Sequence, residues 1–218
     1  MVTQKIIIIG AGGFGREVLW TITECNNESI KYDILGFVDD DPNLHNKQIS
    51  NLPVLGDIDW ILSSSLNDVG FVIAIGENKI RKKIVQRLKH KNLKFPIIIH
   101  PSSHCASSVN LMEGTIIQAG SIISVDVSIG KHSYINFNCT IGHDTIIDDF
   151  VTLSPGVNIS GTNKIKTGVM IGTGAATKQN ISIGEWSIIG GGTMIGKNIS
   201  SYSVYYGSSG KMKNFQSV

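Results

Sequence analysis

The sequence has few charged residues, few aromatic residues and few cysteines. Of its 218 residues, 17% are charged and 7% are aromatic, and 19 basic side chains nearly balance 17 acidic ones. Such low charge argues against disorder, and the near balance argues against a basic face for nucleic acid. No apolar run reaches the roughly 18 residues that cross a bilayer. Cys25, Cys105 and Cys139 have no metal-ligand spacing, and with no signal-peptide cleavage site this favours a cytoplasmic protein.

A strict six-residue repeat runs from Cys105 to Ile195. Every sixth residue in this series is Ile or Leu in fourteen of sixteen cases, with no insertion. A second series begins four residues later, at Val109, and is small or β-branched throughout except at Asn163. A period of six does not suit an α-helix, whose period is about 3.6, but it suits a solenoid of short strands and tight corners.

This repeat predicts a parallel β-helix in which both series point into a triangular prism. The sixteen hexads, at three per coil, give a little over five coils. We expect the domain to span residues 97–218. Several glycines fall between the inward positions, where we expect corners that need unusual backbone angles: Gly130, Gly142, Gly172, Gly184, Gly190 and Gly196.

Residues 1–96 follow a different pattern. Short apolar runs alternate with helical stretches, which is typical of a small Rossmann-like α/β domain with a parallel sheet. The predicted strands are Lys5–Ile9, Ile34–Val38, Phe71–Ile75 and Phe95–Ile99, and the predicted helices are Arg16–Cys25 and Glu77–Lys91.

A glycine-rich motif, Gly10–Gly15, follows the first strand and opens the first helix. Its G-x-G-x-x-G spacing lets a pyrophosphate approach main-chain N–H groups at a helix N-terminus, and Asp39 or Asp40 lies where a ribose contact belongs. Taken alone, the motif indicates NAD. Because fewer than 100 residues hold only one mononucleotide half, a single nucleotide diphosphate fits better, and a tight turn without a ligand remains open.

His143 is the other candidate. It occupies the third place of its hexad, between inward positions, so we expect an exposed imidazole able to act as a base at neutral pH. Asp144 is adjacent, although neighbours on a strand tend to point apart. An idle surface histidine is the alternative. No pair of histidines has metal-ligand spacing, and we expect no metal.

Together the two halves resemble the PglD/NeuD-type nucleotide-sugar acetyltransferases, a family of hexapeptide-repeat acyltransferases. The resemblance covers nearly the whole chain, and its motifs are Gly10–Gly15, Phe37–Asp40, Ala74–Asn78, Ile99–Ser102, Ile135–Cys139, Ile141–Asp144 and Ile189–Gly192. It implies a left-handed β-helix and a homotrimer with each active site between neighbouring subunits. It also implies acetyl-CoA as the acetyl donor and a nucleotide-linked amino sugar as the acceptor.

The resemblance further assigns roles to individual residues. His143 would remove a proton from the acceptor amine, supported by Asp144. The main chain of Gly161 and Gly191 would line the CoA groove, and Asn136 would lie near the acceptor. The nucleotide would rest against Gly12, Gly13 and Gly15, with Asp39 and Asp40 near its base or ribose.

Two departures from the family pattern concern the ligands. Phe14 stands where several relatives carry a histidine that can touch the sugar. The C-terminal Gly-x-Pro-Ala-Lys segment of the family lacks its proline here, where Gly207 is followed by Ser-Ser-Gly-Lys. Lys211, at the end of that segment, is the candidate for a CoA phosphate contact.

We therefore expect N-acetylation of a nucleotide-linked 4-amino-4,6-dideoxyhexose for surface glycan synthesis, such as O-antigen. O-acetylation of a sugar such as sialic acid would use the same base. A trimeric scaffold that only binds a nucleotide and an NAD-dependent oxidoreductase are the remaining alternatives.

Overall fold

The computed structural model describes residues 3–29 and 31–207, and the backbone alone of 211–214. The chain divides into two compact units, Met1–Pro101 and Ser102–Val218. We call them the α/β unit and the β-helix unit. The predicted boundary lay between residues 96 and 97, and the divide in the structure falls a few residues later.

The described residues of the α/β unit form six strands, three helices and two short 3-10 segments. The strands are β1 Gln4–Ile9, β2 Tyr32–Val38, β3 Gln48–Ile49, β4 Leu52–Pro53, β5 Val69–Ile73 and β6 Ile98–Ile99; the helices are α1 Gly13–Glu28, α2 Ile58–Ser63 and α3 Asn78–Leu88; the 3-10 segments are Pro42–Leu44 and Lys89–Lys91.

The central sheet of this unit is parallel, with strand order β2-β1-β5. Ile6, Ile7, Ile8 and Ile9 of β1 are all buried, as expected for a central strand covered on both faces. Strands β1, β2 and β5 all end at the same edge, since parallel strands share a direction. The glycine-rich loop follows β1 there, and Asp39 follows β2.

The predicted fourth strand of this sheet, Phe95–Ile99, is wrong in extent. Only Ile98–Ile99 is a strand, and it does not belong to the three-stranded sheet. The chain touches β5 through one parallel bridge, between Gly70 and Lys94. Pro96 explains the interruption, because proline has no N–H to donate to a sheet ladder.

The β-helix unit is built from two-residue strands on three parallel faces. The first face holds His104–Cys105, Ile122–Ile123, Thr140–Ile141, Asn158–Ile159, Ala176–Thr177 and Met194–Ile195; the second holds Asn110–Leu111, Ser128–Ile129, Ile146–Ile147, Lys164–Ile165 and Ser182–Ile183; the third includes Ile116–Ile117, Tyr134–Ile135, Thr152–Leu153, Met170–Ile171, Ile188–Ile189 and Ser203–Tyr206. Lys211–Asn214 pairs antiparallel with the last of these.

The register of the strands confirms the predicted repeat. Ile123 pairs with Ile141, and Ile141 pairs with Ile159, so one coil is 18 residues long. Both inward series are buried along the prism: from Ile117 to Ile195 no member of the first series is more than 2% exposed. Burying one aliphatic side chain contributes roughly 1.5–3 kcal/mol, so the stack itself stabilises the unit.

The corners correct one prediction. Every sixth residue from 114 to 192 has a left-handed φ between 52° and 72°, and eight of these residues are not glycine: Asp126, His132, Asn138, Asp144, Phe150, Thr162, Asn180 and Trp186. The glycines for which unusual angles were expected do not have them. Gly142 instead lies against the next coil, where an added Cβ would come 2.5 Å from the Gly161 nitrogen.

Candidate active site

His143 lies at the corner between strands Thr140–Ile141 and Ile146–Ile147, which we call the His143 corner. Its Nδ1 is 2.7 Å from Oδ2 of Asp144, and the two side chains are 49% and 56% exposed. Because a carboxylate accepts hydrogen bonds, the neutral imidazole tautomer that fits this contact carries its hydrogen on Nδ1 and a lone pair on Nε2. That is the protonation pattern of a general base.

The backbone at Asp144 explains why adjacent side chains meet. Residues i and i+1 on a strand point to opposite faces. Asp144 is not on a strand: its φ of 56° is left-handed, which turns its carboxylate back towards the preceding imidazole. Asp and Asn enter this region more readily than other non-glycine residues.

Gly161 lies directly against the His143 ring, one coil further along the same edge. A Cβ added to Gly161 would come 2.6 Å from Nε2 and 2.7 Å from Cε1 of His143. The ring thus occupies the space that any side chain at 161 would need. Thr162 anchors the same contact, because its N–H donates to the His143 carbonyl oxygen at 2.8 Å.

Large apolar side chains surround the His143 corner on its outer surface. Val125 precedes His143 by one coil and is 49% exposed, and Ile122 and Ile146 on the flanking strands are 51% and 44% exposed. Exposed apolar side chains grouped around a polar group are typical of interaction surfaces.

Two other predicted residues lie on a different edge of the prism. Asn136 follows strand Tyr134–Ile135, and Gly191 follows Ile188–Ile189, three coils further along that edge. The Oδ1 atom of Asn136 accepts a hydrogen bond from the Phe137 N–H at 2.7 Å. Within one chain, therefore, the His143 corner contains Asp144 and Gly161 but neither Asn136 nor Gly191.

The glycine-rich loop of the α/β unit is shaped by close backbone contacts. A Cβ on Gly15 would overlap the Gly10 carbonyl, and Gly10 has a φ of 107°. Gly12 and Gly13 are exposed with open space around them, and Phe14 is half-buried. Gly12 caps helix α1 without a side-chain hydrogen bond, so the exposed loop leads straight into a helix N-terminus.

The two predicted acidic residues are held by the protein itself. Oδ2 of Asp39 accepts from the Ala11 N–H at 2.8 Å, and Oδ1 accepts from the Asp41 N–H at 2.9 Å. Asp39 therefore ties the glycine-rich loop to the end of β2. Asp40 points elsewhere: it accepts from the Ile58 N–H at 2.9 Å and pairs with Arg87 at 3.1 Å.

Sequence reasoning missed Arg81 at the same edge of the sheet. Its guanidinium is buried, with the residue only 2% exposed, and Nη1 donates to the Ile75 carbonyl at 2.7 Å. Arg81 thus supports the loop that follows β5. The only available signal was an arginine on the apolar face of the predicted helix.

The cysteines serve as packing residues. Cys139 is fully buried in the prism, and burial raises the pKa of its thiol to about 11. Burial also raises the pKa values of the Cys25 and Cys105 thiols. Protonated thiols are poor nucleophiles, which agrees with a packing role for these side chains.

Three further findings concern the predicted CoA phosphate contact, metal ions and membrane-spanning helices. Lys211 lies where only the backbone is described, so its predicted phosphate contact falls outside the described side chains. Among residues 3–29 and 31–207, no three His, Cys, Asp or Glu side chains are grouped to hold a metal ion. In the same ranges, no helix combines the length and apolarity needed to span a membrane.

The α/β unit matches a family model described as the PglD N-terminal domain over residues 5–88. Across the whole chain, GDP-perosamine N-acetyltransferase of Escherichia coli O157:H7 is 30% identical over 175 residues. That match covers 80% of this chain and 78% of the relative.

Solved structures of similar proteins superpose on nearly the full chain. The acetyltransferase domain of PglB from Neisseria gonorrhoeae, in complex with acetyl coenzyme A, is 27% identical with a TM-score of 0.89, covering 96% of this chain and 99% of that one. A histidine-to-asparagine mutant of perosamine N-acetyltransferase from Caulobacter crescentus, in complex with CoA and GDP-perosamine, is 25% identical. It has a TM-score of 0.87 and covers 97% of each chain.

Proposed function

The chain belongs to the PglD-type family of nucleotide-sugar N-acetyltransferases, and from this premise we propose that it moves an acetyl group from acetyl-CoA to the amine of a nucleotide-linked 4-amino-4,6-dideoxyhexose. The observation that carries the proposal is the His143 corner, where an exposed imidazole is held at Nδ1 by a carboxylate 2.7 Å away. Relatives with solved structures bind acetyl-CoA, or CoA with GDP-perosamine. The cytoplasm is the proposed location.

His143 acts as the general base in this reaction. The amine nitrogen attacks the thioester carbonyl carbon, and His143 Nε2 takes a proton from that nitrogen. The new C–N bond forms, the C–S bond breaks, and the proton passes from the imidazolium to the departing CoA sulfur. Asp144 holds Nδ1 and stabilises the imidazolium, as an orienting carboxylate does in other base-catalysed acyl transfers.

Gly161 and Gly191 line the CoA groove through their main chains. Gly161 is suited to this because it lies within contact distance of His143 and carries no side chain to block the thioester. Main-chain N–H groups aimed at the developing oxyanion are the usual source of stabilisation in acyl transfer. Lys211 is the candidate contact for a CoA phosphate.

The sugar nucleotide binds the α/β unit at the glycine-rich loop. Gly12 and Gly13 are exposed at the start of helix α1, where Gly12 is the N-cap and Gly13 the first helical residue. The N–H groups of a helix N-terminus attract a diphosphate. Phe14 lies beside them as an apolar contact. Asp39 and Asp40 have oxygen lone pairs left for ribose or base after their internal hydrogen bonds, and Asn136 contacts the sugar.

The active unit is a homotrimer in this proposal. His143 and the Asn136–Gly191 edge lie at separate corners of the prism, so one chain alone does not bring them together. Packing the His143 corner of one chain against that edge of a neighbour would unite them. It would also cover Ile122, Val125 and Ile146, whose side chains are otherwise exposed.

Release of CoA thiol from acetyl-CoA tests the reaction, with UDP-, dTDP- and GDP-linked 4-amino-6-deoxy sugars offered separately. We expect turnover with one nucleotide and an N-acetyl product. No turnover with any of the three, while acetyl-CoA binds, would contradict this acceptor and favour O-acetylation of a hydroxyl. No binding of acetyl-CoA would favour the non-catalytic scaffold.

A further inference from the structure

The β-helix departs from its repeat at two inward positions that touch each other. Asn163 is the only polar amide of the second series, and Thr177 replaces the Ile or Leu of the first series. They are 0% and 2% exposed, and Asn163 Nδ2 lies 2.9 Å from Thr177 Oγ1. Burying a polar pair in an aliphatic stack costs free energy unless its hydrogen bonds are satisfied.

Both side chains bind the residue that precedes Gly161. The Ser160 N–H donates to Thr177 Oγ1 at 3.0 Å, and the Ser160 hydroxyl donates to the Thr177 carbonyl at 2.7 Å. Asn163 Nδ2 donates to the Ser160 carbonyl at 2.6 Å. Both main-chain groups of Ser160 are thus held by inward side chains.

The regular ladder of this edge is replaced at this one place. One coil earlier, the Gly142 N–H donates to the Ile159 carbonyl at 2.7 Å, and one coil later the Lys178 N–H donates to the Ile195 carbonyl at 2.9 Å. At Ser160 the acceptor is a hydroxyl instead of a carbonyl. The strand pairing there is limited to Asn158 with Ala176.

We propose that Asn163 and Thr177 are positioning residues that set the main chain of residues 160–162 against the His143 ring. Gly161 is the next residue after Ser160, and the ring lies on its Cα face. The Oδ1 atom of Asn163 also accepts a hydrogen bond from the Ile181 N–H at 2.7 Å, which connects this turn to the following coil. The expected change in kcat rests on the proposed function, whereas the expected position of the main chain at residues 160–162 does not.

The double variant Asn163→Val with Thr177→Val tests this proposal. It restores apolar packing, and the freed Ser160 N–H can return to the main-chain ladder. The Ile181 N–H, which loses its Asn163 acceptor, can donate to the Lys178 carbonyl, as the Ala175 N–H does to the Gly172 carbonyl. The double variant therefore need not destabilise the fold. We expect a melting temperature close to that of the wild type and a kcat at least about tenfold lower, since a misplacement of about 1 Å can cost roughly 10²-fold. The KM for the sugar nucleotide and the pH profile should stay unchanged.

Thr115→Val is the matched control, because it removes an equally buried hydroxyl that binds main-chain carbonyls at another corner. Its kcat should match that of the wild type. A double variant with a kcat within about twofold of the wild type would overturn the positioning role.

Two further measurements keep the proposal falsifiable. If the double variant does not fold, Thr177→Ser should retain kcat and Thr177→Val should lose it, and equal values in these two variants would overturn the proposal. A crystal structure of the folded double variant should have residues 160–162 displaced from the His143 ring. An unchanged backbone at residues 160–162 would overturn the positioning role. This structural test is independent of catalysis: if the wild type acetylates no sugar, that result counts only against the proposed function.

Discussion

The two units of this protein position their loops by different means. In the β-helix unit, each corner is held by the coils 18 residues before and after it, as at His143, which contacts Gly161 and Thr162. In the α/β unit, the glycine-rich loop is held by a side chain from a distant part of the chain, Asp39, which binds Ala11. A repeat therefore places the proposed catalytic residue through local stacking, whereas the α/β unit depends on single long-range contacts.

The largest effect is expected where the stack itself is broken. Ile189→Asp puts a carboxylate in the prism, where the native side chain is 1% exposed, whereas its neighbour Ile188 is 41% exposed. An unpaired carboxylate in an apolar core costs several kcal/mol even after it takes up a proton, which is a large part of the roughly 5–15 kcal/mol by which a domain is stable. We expect Ile189→Asp to be unfolded and Ile188→Asp to be folded by circular dichroism. A cooperative melt of Ile189→Asp near the wild-type temperature would show that the inward phase is wrong.

The next effect concerns chemistry at one corner while the stack stays intact. His143→Ala removes the base, and general bases contribute roughly 10²–10⁴-fold to rate. We expect kcat to fall by that amount in the thiol-release assay with little change in melting temperature. His90→Ala, in the 3-10 segment of the α/β unit, is the control and should keep full activity.

A smaller loss is expected from crowding the His143 ring. Gly161→Ala places a methyl group where the ring now lies, 2.6 Å from Nε2, while Gly196→Ala meets nothing within 4 Å. Displacing the base by about 1 Å should lower kcat roughly 10- to 100-fold. Equal kcat values for the two variants would mean that the contact between Gly161 and the His143 ring does not affect catalysis.

The smallest effect should come from the long-range contact in the α/β unit. Asp39→Ala frees the Ala11 N–H and loosens the loop, at a cost of about 1 kcal/mol, or a three- to tenfold rise in the KM for the sugar nucleotide. The KM for acetyl-CoA should stay the same. Asp68→Ala removes a carboxylate that is 90% exposed and should change neither value. A rise in both KM values for Asp39→Ala would place the nucleotide elsewhere.

The same difference between the units decides what the sequence could predict. Inward positions of the β-helix could be read from the period of six, because every hexad meets the same surroundings. The left-handed corners could not be predicted in this way. Phe150 and Trp186 occupy two of them, and bulky residues rarely adopt a left-handed φ. Asp144 is of a residue type that enters this region readily, but with Phe and Trp at equivalent corners no residue rule marked position 144 as the turn that brings the carboxylate to His143.

In the α/β unit, the strand and helix order was predictable from hydrophobic runs and glycines. The role of Asp39 was not, because its partner Ala11 lies 28 residues away and no local pattern encodes that contact. Arg81 was missed for a similar reason: its partners include the main-chain carbonyls of Ile75 and Gly76, and any sequence provides carbonyls.

We propose that His143 catalyses N-acetylation of a nucleotide-linked amino sugar. Mass spectrometry of reactions with acetyl-CoA and GDP-linked 4-amino-4,6-dideoxyhexose, run in parallel with wild type and His143→Ala, tests it most directly. We expect a product carrying one new acetyl group on nitrogen with the wild type, and at least about a hundredfold less of it with the variant. Equal yields from the two proteins, or an acetyl group on oxygen, would contradict it.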